Sequence, residues 1–415
     1  MLLDPKRTVA ELKELRSLTS DPEGAQRVAF SPAWVKARDW FARKLEALPV
    51  EVHRDEAGNL WATLPGDSPR AVIIGSHLDS VPNGGWLDGC LGVLAGLEIL
   101  RRLAGQGRGK PPVTVRLVDW ADEEGARFGR SLFGSSACSG SLDLEAARLL
   151  ADREGIGLPE ALARIGVEFE RVKECGREFK GAGAYLELHI EQGPVLLDLG
   201  QPLGVVLGTY GVERHAIAFH GRAAHAGSTP MHRRQDALLA AAKMSPEIYR
   251  LAALHGGVGT IGSCETKPGI PTSVVAECRL VLDLRHLDRA ALARMLQDAR
   301  QAAARFAAEG GVTVSWTPLL RIDPMPFDAN LIRLCGEAIG EEAGPAPRLP
   351  SGPLHDAAEA ARAGVPTAMM FVQSLGGISH SRLEDTKEED LEAAVAAFDR
   401  LVEKTLDWVA RAQPR

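Results

Sequence analysis

The stretch AVIIGSHLDSVPNGGWLDGCLGVLAGLEIL, residues 71–100, decides the fold. Residues 71–74 form a short apolar run, the composition of a strand buried on both faces. A polar loop follows at once, Gly75-Ser76-His77-Leu78-Asp79-Ser80, and then a Gly-rich turn, Gly84-Gly85-Trp86-Leu87-Asp88-Gly89. Residues 89–103 then carry apolar side chains at helical spacing, studded with glycine, which predicts close packing of a helix on a sheet. A second buried strand is expected at 113–118, and a strand–helix–strand crossover places the two strands in parallel. The reading is an α/β core that presents ligands at the carboxyl ends of its strands.

Working outward, residues 35–48 read as a helix and 146–183 as a charged helical excursion before a strand at 184–188. The texture changes near Gly208. Residues 215–220 and 273–284 alternate like strands, and 236–254 and 289–308 have helical spacing, which suggests an inserted α+β domain ending near Thr317 and Pro318. Residues 331–342, 367–372 and 389–409 resume the first pattern. The expected division is residues 1–208 and 319–415 for a discontinuous catalytic domain, with 209–318 inserted.

At 415 residues and 45% apolar content, the chain can bury a large core. No apolar run is long enough to span a bilayer, and residues 1–10 lack the apolar segment of a secretory leader, so a cytoplasmic location is expected. A net charge of −7 without a basic block argues against nucleic acid or an anionic membrane as partner and leaves small molecules. The six cysteines are scattered without metal-type spacing and read as reduced packing residues.

Chemistry gathers at the strand ends. A neutral His77 can bind a metal, and Asp79, two residues on, could orient its other ring nitrogen. Asp88, between glycines, can cap the following helix or reach a metal. Asp119-Trp120-Ala121-Asp122-Glu123-Glu124 places four acids at the end of a buried strand. Of its two adjacent glutamates, one can ligate a cation while the other handles a proton. Glu187-Leu188-His189-Ile190-Glu191-Gln192 and Gly377-Ile378-Ser379-His380-Ser381 follow two further strands. Each piece alone is commonly structural. Together they supply three histidines and two carboxylates, with Glu123 spare, a set suited to a pair of zinc, manganese or cobalt ions.

The ordered blocks GSHLDSVPNGGWLDGCLGVLAGLE, DEEGARFG, ELHIEQGP, GRAAHAGSTPM and GISHS resemble the amidase and carbamoylase branch of the dimetal, zinc-aminopeptidase-like amidohydrolases. That branch includes N-carbamoyl-L-amino-acid hydrolase, yeast-type β-ureidopropionase and allantoate amidohydrolase. The resemblance implies that His77 and His189 hold one ion, Glu124 and His380 the other, and that Asp88 bridges them. Glu123 would be the general base, with Asp79 orienting His77. The inserted segment would be a lid and dimerisation domain, and His225 would cross from a partner subunit to polarise the scissile carbonyl. Gln192 and Arg285 match positions that hold the ureido group and the substrate carboxylate, and His355 lies in a loop that lines the pocket.

Two positions depart from the pattern. Thr272 stands where an Asn is usual, and Gln373-Ser374 replaces Pro-Ser; both are expected near the substrate cleft. The resemblance therefore implies a homodimeric hydrolase of an N-carbamoyl-L-amino acid. Allantoate, an N-acyl amino acid or a dipeptide are the alternative substrates, and a non-catalytic binding protein on the same fold is the alternative of another class.

Overall fold

A computed structural model describes residues 2–105 and 110–412. It divides into two compact units, one running to Gly208 and resuming at Phe327, the other spanning Thr209–Pro326.

The first unit is built on a mixed sheet. Its centre is four parallel strands in the order Thr367–Val372, Ala182–Ile190, Ala71–His77, Thr114–Trp120. Antiparallel strands flank them, Leu203–Thr209 on one side and Leu60–Leu64 with Glu51–Arg54 on the other. The central strands are largely buried, as parallel strands covered by helices are: all seven residues of Ala71–His77 and all six of Thr367–Val372 are buried, and the polar residues fall mainly toward the carboxyl ends.

The helix Cys90–Gly105 packs on this sheet through its glycines. A Cβ on Gly92 would lie 2.5 Å from the Leu188 carbonyl, and one on Gly96 2.5 Å from Leu117. The closing helix Glu388–Arg411 buries Leu391, Val395, Phe398, Val402 and Val409, an apolar stripe of helical period. Its first turn carries Glu388, Glu389 and Asp390, which suit the positive end of the helix dipole.

The second unit is a four-stranded antiparallel sheet in the order Val258–Lys267, Glu277–His286, Gly211–His220, Thr313–Ile322. Along Glu277–His286, Cys278, Leu280, Leu282 and Leu284 are buried, the period of two that one covered face requires. They share a core with Leu292, Met295, Ala299 and Ala303 of the helix Arg289–Gly310.

Three sequence expectations shift. The inserted unit does not end at 318: Pro318 lies within the strand Thr313–Ile322, at an edge where its missing N–H costs no ladder bond and the register slips before Leu320. The 146–183 excursion is not one helical stretch. Glycines at positive φ, among them Gly155 and Gly166, cut it into Leu144–Arg148, Leu158–Arg164 and a 3-10 segment, Phe169–Phe179. The helix expected over 236–254 divides at Lys243, just before Pro246. No helix among the described residues is long and apolar enough to cross a membrane.

Candidate metal centre

The carboxyl ends of the four parallel strands bring His77, Asp79, Asp88, Glu123, Glu124, His189, Gln192, His355 and His380 into one region of the first unit. Beside a third set, Glu187, His189 and His355, two sets of possible ligand atoms lie close enough to surround a cation each: His77, Asp88 and His189, and Asp88, Glu124 and His380. Asp88 belongs to both. Its Oδ1 faces His189 Nε2 at 3.1 Å and His77 Nε2 at 3.7 Å, while its Oδ2 faces His380 Nε2 at 3.3 Å. Glu124 Oε2 is 3.2 Å from the same His380 nitrogen. Glu123 is near both sets without belonging to either, its Oε2 3.6 Å from His77 Nε2.

The two buried histidines are fixed from behind. His77 Nδ1 lies 3.1 Å from the Asp79 carbonyl and His189 Nδ1 2.9 Å from the Ile190 carbonyl. With Nδ1 donating to a main-chain carbonyl, each Nε2 is the nitrogen that faces Asp88: it carries a proton toward the carboxylate in the metal-free site, where both rings are raised above the ordinary imidazole value, and would turn its lone pair to a cation once that proton leaves. His189 Nε2 is buried and has no hydrogen-bond partner, an orphan that a cation would satisfy. The donor set, imidazole and carboxylate without thiolate, fits zinc, manganese or cobalt.

Gly89 makes room for this arrangement. Its φ is +66°, and a Cβ there would sit 2.5 Å from the His77 ring. Asp79 acts differently from the expected arrangement, because its carboxylate oxygens accept the main-chain N–H groups of Glu123 and Glu124, each at 3.2 Å, and Oδ1 stands 3.6 Å from His77 Nδ1. It holds the glutamate loop more closely than it holds the ring.

Burial pushes the Glu123 carboxyl well above the usual carboxylate range, although His77 opposes the shift. Burial also lifts Glu124, to about 7, helped by Asp88. His380 rises to about 9 through its hydrogen bond to Asp88. Burial would raise Asp88 too, yet the facing imidazoles win and hold it well below its ordinary value. A buried carboxyl of raised basicity beside two cation sites can take and return a proton.

The remaining expected site residues fall in two groups. Gln192 Nε2 donates to Asp88 Oδ2 at 2.8 Å and to Ser379 Oγ at 3.1 Å, so its amide rests on the shared carboxylate. His355 is buried, its ring centroid 4.5 Å from that of His189, and burial keeps it neutral with Nε2 unpartnered. The buried amide of Gln373 donates to the Leu196 and Gln201 carbonyls and ties down the neighbouring chain, while Ser374 Oγ accepts the Gln192 N–H at 3.1 Å.

His225, Thr272 and Arg285 belong to the second unit. His225 Nδ1 accepts the N–H groups of Gly227 and Ser228, each at 3.1 Å, which leaves exposed Nε2 as the donor of the neutral ring. The exposed Thr272 accepts the Ala226 N–H through its carbonyl. Arg285 Nε donates to Asp283 Oδ1 at 2.8 Å.

Two supports escaped the sequence reading. Glu384 Oε1 accepts the N–H groups of Leu87 and Asp88, both at 3.0 Å, and its Oε2 accepts the Ser379 hydroxyl at 2.9 Å. It thus joins the Asp88 turn to the His380 loop, and a Cβ on Gly85 would lie 2.0 Å from its carboxyl group. On the other side, buried Arg38 holds Asp119 at 2.6 Å, and Asp119 Oδ1 accepts the Leu78 N–H at 2.8 Å, which fixes the chain just after His77. Only a Glu-rich or Arg-bearing segment marks either one in the sequence.

Strand-end imidazoles and carboxylates around a shared aspartate, with a basic glutamate alongside, define a metal-dependent hydrolase. Residues 73–404 match the peptidase family M20/M25/M40, and the chain belongs to that family. It is 36% identical over 397 residues to an N-carbamoyl-L-amino acid amidohydrolase of Geobacillus stearothermophilus, covering 94% of this chain and 95% of the relative. It is 33% identical over 386 residues to the allantoate amidohydrolase of Escherichia coli, covering 92% and 93%. The crystal structure of an amidase of the hydantoinase/carbamoylase family from Burkholderia multivorans superposes with a TM-score of 0.87 at 32% identity, over 97% of this chain and 98% of the other.

Proposed function

We propose that the protein hydrolyses the ureido C–N bond of an N-carbamoyl-L-amino acid and releases the amino acid, with carbon dioxide and ammonia from the carbamate that decomposes. The observation that carries the reading is the pair of ligand sets sharing Asp88 with Glu123 beside them. His77 and His189 would hold one ion and Glu124 and His380 a second, with Asp88 between them and zinc the best fit. When bound, the ions would polarise the substrate carbonyl and make water more acidic. Glu123 then takes a proton from the attacking water and returns it to the departing nitrogen. Asp79 keeps Glu123 and Glu124 at the site through their main-chain N–H groups.

Arg285 would grip the substrate carboxylate with its planar fork, Gln192 would meet the ureido group, and His355 and Thr272 would line the pocket. His225 Nε2–H would donate to the carbonyl oxygen as charge develops there. Within the second unit, Arg285 stands near the end of Glu277–His286, while His225 pairs with Ser273 beyond that strand's start. Roughly 25 Å of strand separates them, too far to grip one small substrate. This supports a homodimer in which the inserted unit of a second copy supplies His225.

The test is ammonia release by metal-reconstituted protein on N-carbamoyl-L-amino acids, β-ureidopropionate and allantoate, with amine release followed on N-acetyl amino acids and dipeptides. Fastest turnover of an N-carbamoyl-L-amino acid is expected. Preference for allantoate, or cleavage of N-acyl and dipeptide substrates alone, would keep the centre and replace the substrate. No turnover at all would point to a binding protein.

A further inference from the structure

Away from the metal centre, Cys138 and Cys175 bring two buried sulfurs to 2.9 Å. They come from different elements, the helix Phe133–Ser139 and the 3-10 segment Phe169–Phe179, 37 residues apart in the chain. Asp55 is the third polar group here, with Oδ2 3.7 Å from Cys138 Sγ. The trio has a composition that could bind a metal. Its carboxylate is already saturated, however: Oδ1 accepts the N–H groups of Ala57 and Asn59 at 2.9 and 3.0 Å, and Oδ2 accepts Asn59 Nδ2 and Trp61 Nε1, both at 2.8 Å. Four donors leave little for a cation; the Cys138 sulfur also meets the Cys175 carbonyl and Asn59 Nδ2, both at 3.5 Å, and the other sulfur, at 2.9 Å, is its nearest polar contact.

We infer that Cys138 and Cys175 form a thiol pair that closes to a disulfide, a covalent brace behind the glutamate loop. A disulfide needs S–S at about 2.05 Å, so the sulfurs must approach by less than about 1 Å. The helix that carries Cys138 is stitched to that loop: the N–H groups of Leu132, Phe133 and Gly134 donate to the carbonyls of Glu123, Asp122 and Ala121 at 2.7, 3.0 and 2.9 Å. Tying the helix to Phe169–Phe179 would therefore restrain the segment that carries Glu123 and Glu124.

The oxidant is a low-molecular-weight disulfide. One cysteine thiolate attacks it and expels one small thiolate; the second cysteine then displaces the other from the mixed disulfide. One protein S–S bond forms, the reagent's S–S bond is reduced by two electrons, and the two cysteine protons end on the released thiols. Burial pushes the Cys138 thiol well above its ordinary range, so closure and reopening both require local opening and the brace exchanges slowly once made.

The whole protein is unfolded and refolded in an oxidised and reduced glutathione buffer, alkylated, and mapped by mass spectrometry without reduction. The expected result is a linked peptide joining Cys138 and Cys175 and thermal inactivation slower by about tenfold, both reversed by a strong dithiol and both absent in Cys138→Ser and Cys175→Ser, which keep their activity. Two alkylated thiols, a stable glutathione adduct, or linkage of Cys264 to Cys278 alone would overturn the inference. The same holds if zinc beyond that of Cys138→Ser co-purifies with the unmutated chain. The alkylation map does not depend on the substrate.

Discussion

The two ligand sets around Asp88 are built differently. His77 and His189 are the end and penultimate residues of central strands, about 1% exposed, with each Nδ1 engaged by a main-chain carbonyl. His380 sits on a loop at φ +53° with half its side chain exposed, and it meets Glu124, which follows a strand at some remove. A sheet fixes the first set before any ion arrives, whereas the second depends on loops held by Glu384. The lesson is that one shared carboxylate can join a rigid site to an adaptable one, and the two halves should differ in affinity.

The largest expected effect leaves both halves intact. Glu123→Gln should lower kcat by about 100- to 10,000-fold with metal content unchanged by elemental analysis; an unaltered rate would remove Glu123 from the reaction. Next, Glu384→Gln keeps the size of the side chain but spoils the link between the Asp88 turn and Ser379. It should weaken metal binding by about 10- to 100-fold in a chelator competition, with the loss greater at the weaker ion. Equal loss at both ions would show that Glu384 does not distinguish the halves.

The smallest effect is a difference in pH response. Without ions, Glu124 holds its proton up to about 7 and His380 up to about 9, and His77 and His189 are raised as well, so filling either set expels protons and the less firmly held ion is the first to yield. Acidification from pH 9 toward 6 should therefore release the weaker ion first. Equilibrium dialysis across that range checks the order, and release of both ions together would contradict it.

The sequence makes the buried half easiest to see, because its signals are short-range. A strand, His77 and a glycine-studded helix follow one another within thirty residues, and four such strand ends imply one ligand cluster. What could not be read are partners brought in from afar. Glu384 meets Leu87 across 297 positions and Arg38 meets Asp119 across 81. The edge strand Val258–Lys267 is mostly exposed and rich in Gly, Ser and Thr, so no buried face imposes an alternation. Pro318 reads as a terminator because its tolerance depends on its being at a sheet edge, and strand order is not visible locally. Pro5–Thr19 carries a local start signal, Asp4 as cap before a proline, with Val9, Leu12 and Leu15 at helical spacing.

The most direct test of the shared-carboxylate account is a zinc-binding isotherm on the metal-stripped protein, with the same titration on His380→Ala. The account predicts two ions per chain in the unmutated protein, one tight and one weaker, and retention of the tight ion alone in His380→Ala. A single ion per chain at saturation, or loss of both ions in that variant, would contradict it.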